Sequence, residues 1–257
     1  MLVFDINQHG AYPVDKTVRP QFRCLGHTQE GFGLSWSPHR PGRLLSGSND
    51  SSICLWDVTQ AGTDVQPLLN IPNAHKGAVG DVDWHKTYEF LFGSCGDDSA
   101  VLLWDDRQSN KTPSNTLTDA HQGDVLCLSF NAFSEFLFAT GGADKSVSVW
   151  DLRNLKKGVH KFEGHTDDVL SLCWSPKNPE LFASGGADKR ILVWNLEKIG
   201  EEQTAEEEED VPPELKFSHG GHTAKVNEFN WHGNDDNLFF AGVDEDNSLQ
   251  IWQMVRS

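Results

Sequence analysis

Residues 164–195 read GHTDDVLSLCWSPKNPELFASGGADKRILVWN. The stretch opens on Gly-His, closes on Trp-Asn and carries a turn-forming GADK between two apolar runs. Four other stretches obey the same grammar: GHTQEGFGLSWSP…LLSGSNDSSICLWD, AHKGAVGDVDWHK…LFGSCGDDSAVLLWD, AHQGDVLCLSFNA…LFATGGADKSVSVWD and GHTAKVNEFNWHG…FFAGVDEDNSLQIWQ. The opening histidines are His27, His75, His121, His165 and His222, and the closing tryptophans are Trp56, Trp104, Trp150, Trp194 and Trp252. Histidine to tryptophan is 29 residues four times and 30 once. Successive units begin 48, 46, 44 and 57 residues apart, so the scaffold keeps its register and one step is lengthened.

Runs such as SICLWD, VLLWD and SVSVW alternate apolar and polar residues with a period of two, the spacing of a half-buried strand. GSNDSS, GDDSA and GADKS supply tight-turn residues between them. A unit of this kind presents an apolar face that only its neighbours can bury. Repeats of this length with Gly-His openings and Trp-Asp endings resemble the WD-repeat β-propeller family over nearly the whole chain. The resemblance implies an all-β propeller, a single domain over 1–257, with complete repeats at about 27–57, 75–105, 121–151, 165–195 and 222–252. A partial repeat leads them, because MLVFD reads as the end of a blade with Phe4–Asp5 where Trp-Asp usually falls. The family norm is seven blades. Five and a fragment are therefore expected to leave exposed strand edges at the two ends. Either the first blades are missing from this sequence, or a partner or self-association completes the ring.

Each repeat also carries a polar set able to close a hydrogen-bonded chain across one blade. The sets are His27, Ser46, Asp50, Trp56; His75, Ser94, Asp98, Trp104; His121, Thr140, Asp144, Trp150; and His165, Ser184, Asp188, Trp194. The last repeat offers His222, Asp246 and Trp252, with Gly242 in place of the hydroxyl, so its network should be incomplete and its blade softer. A Ser/His/Asp trio suggests hydrolase chemistry when it occurs once. Recurring in repeat after repeat beside a tryptophan, it reads as structural. Trp36, Trp84, Trp174 and Trp231 fall on first strands, so every tryptophan has a place in the repeat. GGADKS lacks the spacing of a P-loop, and there is no HExxH and no nucleophile elbow. The expectation is a protein that is not an enzyme, with no cofactor and no metal.

The formal net charge is −17, which opposes binding to nucleic acid through phosphates and favours basic partners. Much of the excess is local: Glu201 to Glu214 holds eight acids and no base, in the lengthened step between the last two repeats. By composition alone this run reads as a solvated acidic loop. Cys24, Cys54, Cys95, Cys127 and Cys173 form no CxxC pair and are expected as free thiols of a reducing compartment. No apolar run of about 18 residues marks a membrane span. MLVFDINQHG does not have the pattern of a signal peptide.

A narrower resemblance rests on LVFD, EGFGLSWSP, LLSGSNDSSICLWD, ATGGADKSVSVWDLRNL, SHGGHTAKV, DNSLQIWQM and above all IGEEQ followed by acids and PPEL. Together these are similar to the retinoblastoma-binding, histone-chaperone branch of WD-repeat proteins. That branch includes the small subunit of chromatin assembly factor and the Msi-like subunits of deacetylase and Polycomb complexes. It implies that the insert, 200–215, walls a groove for a basic amphipathic histone helix. Glu201, Glu202, Glu206, Glu207, Glu208, Glu209 and Asp210 would supply charge, Pro212 and Pro213 would stiffen the return, and Leu215 and Phe217 would anchor it. The family's docking helix, which precedes the first blade, has no counterpart in this sequence, so only half of that groove is encoded. The resemblance also implies a peptide-binding rim over the central channel, formed here by Glu30, Phe32, Asp124, Asp168, Lys225 and Asn227. Ala78, Gly80, Leu126 and Leu170 share that rim; Gly80, Leu126 and Leu170 stand where the family has acidic, amide and aromatic residues, so part of the pocket is expected to be less acidic.

The implied function is a nuclear, non-catalytic adaptor that brings core histones, or basic peptide segments, to chromatin assembly, deacetylase, acetyltransferase or Polycomb-type complexes. The alternative is a generic WD-repeat scaffold such as a ubiquitin-ligase substrate receptor, because the fold hosts many functions.

Overall fold

The computed structural model describes residues 1–8, 15, 17–59, 62–108, 111–203, 211–233 and 239–254. The chain opens with the antiparallel pair β1 (Leu2–Val3) and β2 (Phe22–Cys24). β3 (Leu34–Trp36), β4 (Arg43–Gly47) and β5 (Ile53–Asp57) then form an antiparallel meander. β6 (Asp64–Val65) joins β2 in parallel, and β7 (Leu69–Ile71) completes the first full blade in the order β3-β4-β5-β7.

The second blade is β8 (Val79–Trp84), β9 (Leu91–Gly96), β10 (Val101–Asp105) and β11 (Asn115–Leu117). The third is β12 (Val125–Phe130), β13 (Leu137–Gly142), β14 (Ser146–Asp151) and β15 (His160–Glu163). The fourth is β16 (Val169–Trp174), β17 (Leu181–Gly186), β18 (Ile191–Asn195) and β19 (Leu215–His219). The fifth has three described strands, β20 (Val226–Trp231), β21 (Phe239–Asp244) and β22 (Leu249–Gln253).

The turn between the second and third strands is built alike in every blade. Ser51, Ser99, Lys145, Lys189 and Asn247 all hold positive φ, between 59° and 68°. In the first four blades the aspartate just before that residue accepts the backbone N–H two residues on, for example Ser52 N to Asp50 Oδ1 at 3.0 Å. This Asx geometry fixes the turn and holds the carboxylate facing the histidine; in blades two and three the oxygen that accepts the turn N–H is also the one that meets the imidazole.

The polar sets close as expected in blades two to four. His75 Nε2 meets Ser94 Oγ at 2.7 Å and its Nδ1 meets Asp98 at 2.8 Å, while Trp104 Nε1 donates to the same hydroxyl at 2.9 Å. His121, Thr140, Asp144 and Trp150 repeat this at 2.8–2.9 Å, and His165, Ser184, Asp188 and Trp194 at 2.7–2.9 Å. In blade one the chain is longer by one link. His27 Nδ1 meets Ser52 Oγ at 2.8 Å, and Asp50 takes the Ser52 hydroxyl while standing 3.5 Å from the ring. Its other end is regular, with His27 Nε2 to Ser46 Oγ at 2.7 Å and Trp56 Nε1 to the same oxygen at 2.8 Å.

Blade five corrects one assignment. Asp246 does not reach His222; it accepts the Thr223 hydroxyl at 3.2 Å. The partner of His222 Nδ1 is Asp244, at 2.9 Å. The cause lies in the residue that ends the second strand. Blades two to four have Gly96, Gly142 and Gly186 there, where a Cβ would lie 2.7–3.0 Å from the histidine ring. Asp244 occupies that place, so its own carboxylate arrives first. The missing hydroxyl has the expected effect: His222 Nε2 and Trp252 Nε1 are both buried without a partner.

Blades stack through their faces. Leu45, Ile53 and Leu55 of the first blade share one core with Val82, Trp84 and Phe92 of the second, and the pattern repeats at the later interfaces. Polar staples accompany the packing. Trp174 Nε1 donates to Ser129 O, and Trp231 Nε1 to Cys173 O, each at 3.0 Å.

The two ends of the array remain uncovered. Leu34 and Trp36 are 56 % and 52 % exposed, whereas Val82 and Trp84, in the same register one blade on, are 1 % and 0 %. Leu249 and Ile251 are 62 % and 70 % exposed, whereas their counterparts Ile191 and Val193 are fully buried. The outer half of the first blade is covered by the leading fragment, through Met1, Val3, Phe22 and Cys24 against Leu44, Cys54 and Trp56. Cys24, Cys54, Cys95 and Cys127 are buried and Cys173 is half-buried, all as free thiols. Burial pushes Cys54 and Cys173 up to about 12.

Candidate binding face

The inner strands β3, β8, β12, β16 and β20 lie side by side around a channel of about 880 Å³. Its mouth has a repeating construction. The carbonyls of Glu30, Ala78, Asp124, Asp168 and Lys225 accept the N–H of Asn49, Asp97, Ala143, Ala187 and Glu245 at 2.8–3.1 Å. These bonds tie the loop after each histidine to the turn after each second strand. They set Glu30, Asp124, Asp168 and Lys225 at equivalent points of the rim. One step along each strand, Phe32, Gly80, Leu126, Leu170 and Asn227 form the channel wall. The rim residues inferred from sequence thus divide: Phe32 and Asn227 line the channel, while Glu30, Asp124, Asp168 and Lys225 stand outside its lining. Phe32 is 76 % exposed and offers an open aromatic surface.

Deeper in the channel are acids that the repeat pattern did not single out. Asp81, Asp83 and Glu228 line it, with Asp97 and Glu245 nearer the turns; Lys86 is the basic side chain of the lining. Asp83 is buried and fully engaged, accepting from Ser35 Oγ at 3.0 Å, Phe130 N at 3.0 Å and Lys86 Nζ at 2.7 Å. Asp81 accepts Val82 N at 2.8 Å and Leu128 N at 3.1 Å. Both aspartates therefore also bind blade two to blade three.

Burial pushes the Asp81 carboxyl up to about 8, and the charges of Asp83 and Glu228 add to the shift. Burial likewise raises Glu228. Asp97 is raised first by burial and then by the charge of Asp124. Acids that raise one another in this way form a field that a cation relieves. A lysine or arginine entering the mouth would meet several carboxylates and one ammonium.

Their sequence signal was the run VGDVDW, which puts acids at alternate positions of an inner strand where blade four has Ser171 and Cys173. The rule for inward-facing residues makes such a pair noticeable, although not its direction toward the channel.

The insert is seen at its two ends. Glu201 and Glu202 are exposed, with Lys198 Nζ on Glu201 at 2.7 Å. Gln203 Nε2 crosses to Val211 O at 3.1 Å and closes the neck of the loop. Pro212 and Pro213 are half-buried, and Leu215 N bonds back to Pro212 O at 3.0 Å. Leu215 opens β19 opposite Trp194, and Phe217 stacks on Trp252 with ring centroids 5.6 Å apart. Glu214, the last acid of the run, is buried against His160 Nε2 at 3.0 Å, so it belongs to the blade. Glu206, Glu207, Glu208, Glu209 and Asp210 lie outside the described residues.

Among the described residues, no group of three His, Cys, Asp or Glu side chains has the arrangement of a metal site. No helix is long and apolar enough to cross a membrane.

The family model described as WD domain, G-beta repeat, matches residues 18–57, 66–105, 111–151, 156–195 and 213–253, well over half of the chain. Each matched segment begins one strand before a blade. It contains the outer strand of the preceding blade and the three inner strands of the next, so every repeat laces two blades together. Matched repeats, four-stranded antiparallel blades and the His–Ser–Asp–Trp chains agree, and this chain belongs to the WD-repeat family of β-propeller protein-interaction scaffolds.

Proposed function

We propose that this protein is a non-catalytic chromatin adaptor that binds basic segments of core histones on the channel face and carries them to assembly or modifying complexes in the nucleus. The observation that carries this reading is the acid-rich channel mouth. Asp97, Asp124, Asp168 and Glu245 stand at or beside the opening, Asp81 and Glu228 lie behind them, and Phe32 gives an aromatic surface at the edge. Extended basic peptides suit such a face. Their cations relieve mutual repulsion among the carboxylates, and their backbones lie over loops already tied down by hydrogen bonds. The net charge of −17 steers basic partners toward the protein and makes capture depend on salt. The histone assignment rests on the likeness of IGEEQ…PPEL and its companion runs to the histone-chaperone branch, with Glu201, Glu202 and the acids that follow as a second negative surface.

The test is binding of the purified chain to core-histone tetramers across a salt series, with two variants. In one, Asp97, Asp124, Asp168 and Glu245 become Asn or Gln. In the other, the acids from Glu201 to Asp210 do. The proposal expects wild-type binding that weakens as salt rises, a large loss in the channel-face variant and a smaller one in the insert variant. A well-folded wild type that binds no histone overturns it and favours a scaffold for other partners. Equal binding by all three proteins also overturns it.

A further inference from the structure

The inner strands of blades two to five carry an extra residue at the same place. Their pairing with the second strand shifts register at Gly80, Leu126, Leu170 and Asn227. A residue inserted in this way leaves the ladder, and its side chain is re-aimed. Here all four line the channel, and Phe32 holds the same place in blade one.

Three of these places stand together on blades two, three and four. Leu126 and Leu170 are apolar and half-buried. Gly80 has no side chain, so the wall is open between Phe32 and Leu126. The opening is enforced by packing: a Cβ on Gly80 would stand 2.8 Å from Val125 O and 3.2 Å from Leu126 O. Blades two, three and four each pack between two others, so internal contacts set this stretch of wall.

Farther along β8 the carboxylates are already engaged. Both oxygens of Asp81 accept backbone N–H groups, from Val82 and Leu128. Asp83 is taken by Ser35, Phe130 and Lys86. A cation pushed into the gap would compete with these bonds and meet the Lys86 ammonium, which also lines the channel. An apolar side chain disturbs none of them and removes the open faces of Leu126 and Leu170 from water.

At the rim the chemistry reverses. Asp97, Asp124 and Asp168 stand there on blades two to four, held by Asp97 N to Ala78 O, Ala143 N to Asp124 O and Ala187 N to Asp168 O at 2.8–3.1 Å. An extended chain turns alternate side chains to opposite sides. Laid across this face, it sends one side chain into the gap and holds its two neighbours out toward the rim acids.

We propose that the segment bound on this face carries an apolar side chain between two basic ones, and that the apolar side chain seats over Gly80 against Leu126 and Leu170. This rests on the channel-face reading above and adds a sequence requirement to it. Charge attracts basic segments in general, and the apolar residue selects among them.

The experiment is fluorescence anisotropy of the full chain with labelled Ala-Lys-Ala-Arg-Leu-Arg-Ala-Lys-Ala, and with the same peptide carrying Ser or Lys in place of Leu. Wild type should bind the leucine peptide about tenfold or more tighter than the serine peptide. The lysine peptide, despite its extra charge, should bind more weakly than the leucine peptide. Leu126→Ser and Leu170→Ser should each reduce the preference for leucine to about threefold or less. Asp97→Asn combined with Asp124→Asn should weaken all three peptides. Circular dichroism checks folding, and Leu126→Ala and Leu170→Ala replace the serine variants if those fail to fold; the peptide series on wild type needs no variant. Equal affinity for the leucine and serine peptides, or tighter binding of the lysine peptide, overturns the inference and leaves the channel-face reading standing. A leucine preference that survives in both leucine variants overturns the seat over Gly80. A wild type that binds none of the peptides overturns the channel-face reading and the inference with it.

Discussion

Blades four and five are consecutive copies of one plan, and one missing hydroxyl separates a closed polar chain from an open one. In blade four, Ser184 Oγ accepts from Trp194 Nε1 and meets His165 Nε2, so two buried side chains share one oxygen. In blade five, Gly242 has no oxygen to offer, and His222 Nε2 and Trp252 Nε1 remain buried without partners. The apolar surroundings differ less. Phe182 stacks on Trp194 at 6.4 Å and Phe240 on Trp252 at 4.3 Å. Packing can therefore build a blade with an incomplete polar chain, at the cost of two unsatisfied groups. Leu249 and Ile251 of blade five are also exposed where Ile191 and Val193 of blade four are buried, so among the described residues lateral burial and polar completeness fall together in this blade.

The most damaging way to break this comparison is to make blade four resemble blade five. Ser184→Ala strands His165 Nε2 and Trp194 Nε1 at a site with no exposure, and should cost about 2–4 kcal/mol. Urea unfolding would read this as a lower midpoint. An unchanged midpoint would mean that the hydroxyl does little for the blade.

The reverse change is smaller. Gly242→Ser supplies the missing oxygen, but its Cβ would fall 2.9 Å from His222 Nε2, so the ring has to retreat by a few tenths of an ångström. The expected gain is about 1 kcal/mol, measured in the same unfolding assay. A loss would show that Asp244 has locked the ring too firmly to move.

Acid should weaken the array in two stages. Burial, the largest influence on His27 and His85, lowers both from their ordinary 6.5. The unfolded chain then binds more protons, so stability present above about pH 6.5 declines as pH falls below it. Burial alone would raise Asp98 and Asp188, yet hydrogen bonds from the histidines and neighbouring N–H groups outweigh it and hold them below 3.8. The His222 bond, with help from Ser248, holds Asp244 down to about 2. Stability from these carboxylates is present above about pH 3.8 and is lost as pH falls through their lowered values. Thermal midpoints between pH 8 and pH 3 should show a shallow decline followed by a steeper one.

The smallest expected effect concerns the channel. Asp81, raised to about 8, gains charge as the pH passes that value. The affinity for a basic peptide should increase modestly from pH 7 to 9 in wild type and less in Asp81→Asn, as titration of the peptide complex would show.

The blades were legible in the sequence because strand alternation, turn residues and the His–Trp spacing all repeat with one period. The polar sets were legible for the same reason, down to the consequence of Gly242. Two details were not. Ser52 enters the first set between His27 and Asp50, and Asp244 displaces Asp246 in the last. Both depend on which of two nearby oxygens arrives first at an imidazole, a matter of ångströms that spacing does not encode. The channel acids were missed because Asp81 and Glu228 occupy ordinary alternating positions of inner strands; only assembly of the blades turns those positions toward one another. Of the six rim residues read from sequence, Phe32 and Asn227 line the channel and Glu30, Asp124, Asp168 and Lys225 do not, a division that repeat spacing does not encode.

The proposed binding of basic segments on the acid-lined channel face makes a prediction for backbone protection. Hydrogen exchange of the chain with and without a histone-tail peptide tests it most directly. Exchange should slow in the loops at Glu30–Phe32, Asp124–Leu126 and Asp168–Leu170 and in β8 and β20, with the outer strands β11, β15 and β19 unchanged. Protection confined to the outer strands, or to the segment from Glu201 to Leu215, would contradict it.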